Sequence, residues 1–192
     1  MAVTRNNGRV LWGPKPRAVV HETPVLFARA AGYIASEIQK KQWIYCVIGG
    51  QRESDAVRHD EPDFMVLPDA DALNDGVSVV NWLVIFKDLG LRSMRDLRGG
   101  HLGLLRRVRE TVGTLFPAQG PMMYFHCPPS VWQLHLHVSA PCDVLRTTND
   151  MQKVQFLDDV ISNLEIDPDY YAKATLTYVL PVGHEFIRLY LA

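Results

Sequence analysis

The sequence has 192 residues, of which 47% are hydrophobic and 21% are charged, and its formal net charge is -1 at pH 7. This hydrophobic fraction can fill the core of one globular domain. The near-neutral charge excludes a general polyanion-binding surface, and no apolar run is long enough for a transmembrane helix. We therefore expect neither a membrane nor a long nucleic acid as a partner.

The cysteines and the N-terminal residues bear on location and domain organisation. Three cysteines, at positions 46, 127 and 142, are an odd number without paired spacing, which favours a reducing compartment. Residues 1–20 are basic and hold no acid, but Asn6-Asn7-Gly8 and Gly13-Pro14 interrupt the amphipathic helix of a mitochondrial transit peptide. We predict a flexible basic tail over 1–20, one folded domain over 21–192, and a cytoplasmic location, with the nucleus as the alternative.

Hydrophobic periodicity and turn residues predict the elements that follow the tail. Thr23 and Pro24 begin the first helix, because a threonine cap followed by proline is a typical N-terminus. The predicted elements are a helix over 24–41, strands over 43–48, 64–67 and 79–86, a connector over 92–100, a helix over 102–116, a hairpin with strands over 122–127 and 133–140, a helix from about 149–150, and a closing strand pair over 174–180 and 185–191. This order predicts an α+β fold with a mainly antiparallel sheet and packed helices.

The segment 133–140 carries the most informative pattern. Polar and apolar residues alternate there, and a strand places alternate residues on opposite faces. The polar face carries Gln133, His135, His137 and Ser139. Another histidine, His126, lies on the preceding strand, and Trp132 falls with the apolar side, so we expect it in the core.

The residues alone leave three interpretations of the paired histidines open. They are polar residues on a half-exposed strand, or metal ligands, although no carboxylate or further cysteine lies at ligand spacing. In the third interpretation, one neutral imidazole attacks a phosphorus and a second protonates the leaving oxygen. Side chains two residues apart on one strand face are about 7 Å apart, which suits an in-line displacement.

The stretch Gln133-Leu-His135-Leu-His137-Val-Ser resembles the histidine triad signature, with glutamine in place of its first histidine. The flanking segments resemble the scavenger mRNA decapping enzyme branch of that superfamily. These segments are Gly90-Leu-Arg-Ser-Met-Arg-Asp-Leu97, His101-Leu-Gly-Leu-Leu-Arg106, Tyr124-Phe-His126 with Pro129-Ser130, and Asn163-Leu-Glu-Ile-Asp-Pro-Asp-Tyr-Tyr171 followed by Thr175-Leu-Thr. The resemblance covers roughly residues 33–180.

This resemblance implies a histidine triad domain that works as a homodimer. It also implies hydrolysis of a 7-methylguanosine triphosphate-linked cap remnant, with release of 7-methyl-GMP and with no cofactor or metal. His135 matches the nucleophile, which forms a covalent nucleotidyl intermediate. His137 would contact the transferred phosphate or the leaving oxygen. The ligand is then a small nucleotide, the mRNA cap dinucleotide.

The resemblance further suggests which residues bind the substrate. His126 and Ser130 match positions that hold phosphates, and Asp69 matches the carboxylate near the cap base. Tyr33 falls where the family stacks a tryptophan on that base, and Gln133 completes the candidate set. A methylated guanine is cationic, so an aromatic face attracts it, and a carboxylate can accept its N–H groups.

Several positions depart from the family pattern. With Gln133 in the motif, the orientation of His135 loses one usual supporter. Val131 stands where a tyrosine approaches the phosphates, and Asp71 replaces a lysine, which disfavours a triphosphate by about 1 kcal/mol. Trp43 falls near the place of a second base-recognising acid. The cations that could compensate are Arg106, Arg109, Arg146 and Lys153.

The leading functional prediction is a scavenger-decapping-like hydrolase acting on phosphoric anhydrides. One alternative is a broader histidine triad hydrolase that acts on dinucleoside polyphosphates or nucleotide phosphoramidates. Another is a cap- or nucleotide-binding module, or a dimeric scaffold, without turnover. The sequence leaves open whether Trp43 or Tyr33 forms the platform for the base. The branch also has a large N-terminal domain over its active site, whereas here only the basic tail precedes residue 21.

Overall fold

The computed structural model describes residues 4–6, 9–11, 16–69, 81–117, 120–139 and 153–191. The departure at Asp71, the third cysteine, Cys142, and the candidate cation Arg146 lie outside these described residues. The predicted ends of elements at 79–80, 140 and 149–150 do so as well. Within the described ranges, no helix is both long enough and apolar enough to cross a membrane.

Strands and short helices alternate along the described chain. The strands are β1 (Thr4–Asn6), β2 (Arg9–Leu11), β3 (Arg17–Glu22), β4 (His59–Asp60), β5 (Phe64–Pro68), β6 (Asn81–Phe86), β7 (Met122–His126), β8 (His135–Ser139), β9 (Val154–Phe156) and β10 (Leu176–Pro181). The α-helices are α1 (Pro24–Arg29), α2 (Ala31–Lys40), α3 (Trp43–Ile48), α4 (Leu102–Leu115), α5 (Leu157–Ile166), α6 (Tyr170–Lys173) and α7 (Glu185–Leu191). Single 3₁₀ turns lie at Ser54–Ala56, Met94–Asp96 and Gly99–His101.

The largest sheet is antiparallel and has the strand order β4-β5-β6-β8-β7-β9. Strand β8 therefore lies inside the sheet, with His135 opposite Ile85 of β6 and His137 opposite Tyr124 of β7. Strands β3 and β10 form a second antiparallel sheet, and β1 pairs with β2. The predicted α+β fold with antiparallel sheet and packed helices is confirmed.

The six-stranded sheet buries a core on each face. The larger core lies under helices α4 and α5, which contribute Leu105, Val108, Val112, Leu157, Val160, Ile161 and Leu164. Helix α3 packs on the opposite face, where the buried residues are Ile44, Val47, Met65, Leu67 and Ile85. Residues opposite each other in an antiparallel pair share a face, so His135 lies on the α3 side with Ile85.

The prediction of a strand over 43–48 is wrong, because these residues form helix α3. Their β-branched and aromatic side chains favour a strand locally. Ile44 and Val47, however, lie three residues apart and are 3% and 1% exposed, so both bury one side of a helix against the sheet. Burial against β5 and β6 thus overrides the local propensity.

The prediction of a closing strand pair over 174–180 and 185–191 is also wrong in part. The strand β10 forms, but its partner is β3, while Glu185–Leu191 is helix α7. Phe186 and Ile187 of that helix are 1% and 8% exposed and belong to the main core. Strand β3 begins at Arg17, inside the segment expected as a flexible tail, and the domain division at residue 20 stays a prediction.

Two helix boundaries differ from the prediction as well. The helix expected over 24–41 is split into α1 and α2 at Ala30, whose small side chain is completely buried. The helix expected from 149–150 begins at Leu157, because Val154–Phe156 pairs with β7 as the edge strand β9. The predicted elements near 64–67, 102–116 and 122–127 form as expected.

A buried ion pair joins the small sheet to the rest of the domain. The guanidinium of Arg95 donates to Oε1 of Glu22 at 2.9 and 3.0 Å and to the carbonyl oxygen of Tyr171 at 3.0 Å. The hydroxyl groups of Tyr178 and Tyr190 donate to Oε2 of Glu22 at 2.5 and 2.6 Å. Both charges are therefore fully hydrogen-bonded, which a buried ion pair requires.

Candidate active site

Three histidines come together on the α3 side of the sheet. The ring centroids of His135 and His137 lie 5.2 Å apart, and His126 of β7 is 4.2 Å from His137. Tyr124 stacks on His137 with ring centroids 5.4 Å apart and 10° between the ring planes. His135 is 9% exposed on an inner strand, so the interpretation as a half-exposed strand is wrong.

A backbone carbonyl orients the imidazole of His135. The Nδ1 atom lies 2.7 Å from the carbonyl oxygen of Gln133. A carbonyl oxygen only accepts hydrogen bonds, so Nδ1 carries the proton and Nε2 keeps its lone pair. Because the acceptor belongs to the main chain, glutamine at position 133 supplies this support as well as histidine would. The sequence analysis expected that glutamine at position 133 would remove one contact that orients His135, but this hydrogen bond is kept.

The side chain of Gln133 acts inside the protein and is outside the lining of the cavity described below. It is completely buried, and its Nε2 donates to the carbonyl oxygens of Phe86 at 2.7 Å and Asp88 at 3.0 Å. The Oε1 atom has no hydrogen-bond partner among the described residues. The amide therefore ties the end of β6 to the loop that precedes His135.

Burial keeps the two strand histidines neutral at neutral pH. Desolvation lowers the pKa of His135 below 6.5, against the opposing effects of its backbone hydrogen bond and of the carboxylate of Asp69. Desolvation lowers the pKa of His137 to about 2, and its neighbours His135, His126 and Lys153 contribute further to this shift. A neutral imidazole is the form that can attack a phosphorus.

A cavity of about 170 Å³ opens at His135 and His137. Its aromatic and polar lining includes Trp43 at the start of α3, Glu53, Asp69 at the end of β5, and Ser130. The Oδ2 atom of Asp69 lies 4.0 Å from Nδ1 of His137. An indole ring, two carboxylates and an imidazole with an available lone pair thus share one cavity.

The described part of the chain contains no group of three or more histidine, cysteine, aspartate or glutamate side chains that could hold a metal ion. The rings of His126 and His137 instead pack against each other and against Tyr124, which stacks on His137 and is tilted against His126. Within the described residues, the zinc interpretation of the histidine pair therefore has no ligand set.

Comparison with known proteins identifies the family. The family model described as "Scavenger mRNA decapping enzyme C-term binding" matches residues 42–152, which is more than half of the chain. The chain belongs to this family. The match includes all three histidines and the lining residues Trp43, Glu53 and Asp69.

Two relatives and one solved structure indicate the extent of the similarity. The chain is 29% identical over 167 residues to the m7GpppX diphosphatase of Rattus norvegicus, which covers 82% of this chain and 49% of that protein. It is 31% identical over 186 residues to the m7GpppX diphosphatase of Caenorhabditis elegans, which covers 90% and 58%. The chain thus spans about half the length of the curated relatives it matches. The aprataxin ortholog Hnt3 in complex with DNA is similar with a TM-score of 0.48 and 16% identity, which covers 76% of this chain and 88% of that chain.

The structure separates the two candidate platforms for the base in this decapping-family chain. Trp43 lines the cavity and is 38% exposed. Tyr33 lies in α2, packs edge-on against Phe186 at a centroid distance of 5.4 Å, and is outside the cavity lining. Trp43 therefore shares the cavity with His135, whereas Tyr33 does not. Trp132, which was expected in the core, is 3% exposed, and this expectation is confirmed.

The sequence analysis does not identify Glu53 as a site residue, although it lines the cavity. Glu53 lies in the loop after α3 and has a φ of 56°, in the left-handed region that residues other than glycine seldom adopt. Its sequence signal is weak, because the loop over 51–63 contains several charged residues and no periodicity shows which one points inward.

The candidate cations lie in different places. Arg106 and Arg109 of α4 form ion pairs with carboxylates of α5 at 2.6 and 2.9 Å, so they join two helices on the other face of the sheet. The charge of Lys153 contributes to the low pKa of His137. The carbonyl of Lys153 also accepts the backbone N–H of Cys127 at 2.8 Å. Lys153 is therefore the member of this set that lies near the histidines.

Proposed function

We propose that this protein hydrolyses 7-methylguanosine cap remnants and releases 7-methyl-GMP, with His135 as the nucleophile. The membership in the decapping family and the relatives named m7GpppX diphosphatase support this class of reaction. One structural observation carries the proposal. His135 lines the cavity while its Nδ1 atom lies 2.7 Å from the carbonyl oxygen of Gln133 and donates its proton to it, which leaves Nε2 as the nucleophilic atom.

The proposed reaction has two steps. In the first, the Nε2 lone pair of His135 attacks the phosphorus nearest the methylguanosine, a P–N bond forms, and the P–O bond to the departing nucleoside diphosphate breaks. The imidazole gains positive charge, and the carbonyl of Gln133 stabilises that charge through the Nδ1–H bond. In the second step, water attacks the same phosphorus and loses a proton to His137, which gave up its own in the first step. The P–N bond breaks, so His135 becomes neutral again and 7-methyl-GMP is released.

His137 and its neighbours are placed to hold the phosphate oxygens. Burial lowers the pKa of His137 to about 2, so in the empty cavity the ring is neutral. A bound phosphate adds negative charge next to the ring, which raises the pKa of His137 and favours proton donation to the leaving oxygen. Ser130 lies in the cavity lining and extends the phosphate-binding surface. His126 is outside this lining, and its ring centroid lies 4.2 Å from that of His137, so it supports His137 from within the protein.

The other end of the cavity suits the methylated base. The indole of Trp43 offers an aromatic face to a cationic ring, and such cation–π contacts contribute about 0.5–2 kcal/mol. The carboxylates of Glu53 and Asp69 lie in the same lining and can accept the N–H groups of the base edge. An uncharged guanine lacks the first of these attractions, so this arrangement favours the 7-methyl form.

The proposal is tested by product analysis of the purified protein with the 7-methylguanosine cap dinucleotide, in the presence of a chelator. We expect wild type to release 7-methyl-GMP and His135→Ala to release none above background. The control is His21→Ala, which removes an exposed histidine that bonds Thr177 in the small sheet. Equal turnover by wild type and His135→Ala would refute the proposed role of His135.

The same assay separates the alternatives. Turnover of adenosine dinucleoside polyphosphates at the rate of the cap dinucleotide would indicate a broader histidine triad hydrolase. Tight binding of the cap without product would indicate a binding module. The homodimer and the cytoplasmic location that the sequence analysis expects also remain proposals, which light scattering and fluorescence localisation of the full-length protein would check.

A further inference from the structure

The charge of the cavity does not suit a phosphate chain without additional cations. In the described part of the chain, the charged residues of its lining are Glu53 and Asp69, both acidic. Burial lowers the pKa values of His135 and His137, so in the empty cavity neither contributes a positive charge at neutral pH. Like charges at short distance repel, and a nucleoside di- or triphosphate carries several negative charges. A cation beside the lining would offset this repulsion, as the charge of Lys153 near His137 can in part.

Lys41 is such a cation. It lies between α2 and α3, and its Nζ donates a hydrogen bond to the backbone carbonyl oxygen of Ser130, which lines the cavity next to the histidines. The Oε2 atom of Glu37 lies 3.4 Å from the same Nζ. Lys41 is outside the cavity lining, but its side chain is 34% exposed and its ammonium group contacts the lining residue Ser130.

We propose that Lys41 binds the phosphate chain of a nucleoside di- or triphosphate in this cavity. This inference rests on the proposed function for the identity of the nucleotide, and the contacts of Lys41 carry the rest. In the free protein, the ammonium group is held at the cavity by the Ser130 carbonyl and by Glu37. On binding, a phosphate oxygen replaces part of these contacts as a stronger, charged acceptor.

The position of Lys41 along the chain couples the two ends of the ligand. Lys41 and Trp43 are two residues apart at the junction of α2 and α3, so one short segment carries the phosphate cation and the aromatic platform. A ligand that has both a base and a phosphate chain engages this segment at two points. Lys41 is therefore a specificity-determining residue for phosphorylated ligands. A nucleoside has no phosphate, so within this segment it can contact only Trp43.

The test is calorimetric titration of full-length protein that carries His135→Ala, which prevents consumption of the ligand. The ligands are 7-methyl-GDP, GDP and 7-methylguanosine. We expect Lys41→Met to weaken the binding of both diphosphates about tenfold and the binding of the nucleoside less than twofold, because one charge-assisted hydrogen bond to phosphate is lost. The matched control is Lys40→Met, which removes an equal charge. The Nζ atom of Lys40 lies 2.8 Å from Oε1 of the same Glu37, and its side chain is 66% exposed.

A second variant predicts a gain instead of a loss. Glu37→Gln removes the carboxylate that competes for Lys41, so we expect it to tighten diphosphate binding two- to fivefold, with no such effect once Lys41 is methionine. A purely structural Lys41 would not produce this dependence. The inference is overturned if Lys41→Met and Lys40→Met weaken the binding of the diphosphates equally, or if Lys41→Met weakens the binding of the nucleoside as much as that of the diphosphates. It is also overturned if none of the three ligands binds. Failure of the proposed function gives a different result, namely diphosphate binding that depends on Lys41 in a wild-type protein that releases no 7-methyl-GMP.

Discussion

Replacement of Gln133 by methionine tests how the position that departs from the histidine triad supports His135, the proposed nucleophile. Methionine has a similar length but no hydrogen-bonding amide. The carbonyl of Phe86 loses its bond at 2.7 Å, and the carbonyl of Asp88 loses its bond at 3.0 Å. Asp88 keeps a donor, because its carbonyl also accepts the backbone N–H of Leu91 at 3.0 Å.

These contacts allow the effect on stability to be estimated. The loss at Phe86 costs about 1.5 kcal/mol, and the smaller loss at Asp88 costs about 0.5 kcal/mol. Removal of the Oε1 atom of Gln133, which is buried and has no hydrogen-bond partner among the described residues, stabilises the folded state by about 1 kcal/mol. The free energy of unfolding should therefore fall by about 1 kcal/mol in Gln133→Met. In Gln133→Glu, the free energy of unfolding should fall by about 3 kcal/mol or more, because this variant places an unpaired carboxylate beside two carbonyl oxygens in a fully buried site.

Urea denaturation and steady-state kinetics on the cap dinucleotide together check this reasoning. Since the bond that orients His135 comes from the backbone carbonyl of residue 133, kcat for Gln133→Met should stay within about tenfold of wild type. Gln133→His should also retain turnover, because it keeps the same carbonyl. The reasoning is refuted if Gln133→Met loses kcat as completely as His135→Ala while its stability is nearly unchanged, because the amide itself would then take part in the reaction.

Three further predictions follow from the described contacts. Trp43→Ala should raise KM for the cap dinucleotide roughly threefold to thirtyfold, with little change for an unmethylated analogue, whereas Trp43→Phe should keep most of the affinity. Folded His137 has a pKa of about 2 against 6.5 when unfolded, so the folded state binds fewer protons, and the free energy of unfolding should fall by about 1.4 kcal/mol per pH unit below about pH 6.5. His137→Gln should reduce that slope in urea titrations at several pH values, and an unchanged slope would contradict the assignment. Glu22→Gln should lower the free energy of unfolding by about 3–5 kcal/mol, because it leaves the guanidinium of Arg95 buried without its carboxylate, and a loss below 1 kcal/mol would contradict the importance of that ion pair.

Local sequence patterns were sufficient where an element's own residues decide its structure. The apolar run at 64–67 and the helical spacing over 102–116 correspond to β5 and α4. The alternation after residue 133 placed His135 and His137 on one face, and β8 has that arrangement. These patterns have one interpretation, because a single periodicity matches both the local propensity and the side that is buried.

The tertiary structure decided the features in which local propensity and packing disagree. Residues 43–48 are a helix because Ile44 and Val47 bury against the sheet, and this places Trp43 in the cavity. Nothing local shows that β10 pairs with β3, since the two strands are separated by most of the chain. The same holds for the site. The sequence contains Lys41, Glu53 and the histidines, but only packing of distant segments places a lysine beside Ser130 and an acid in the cavity.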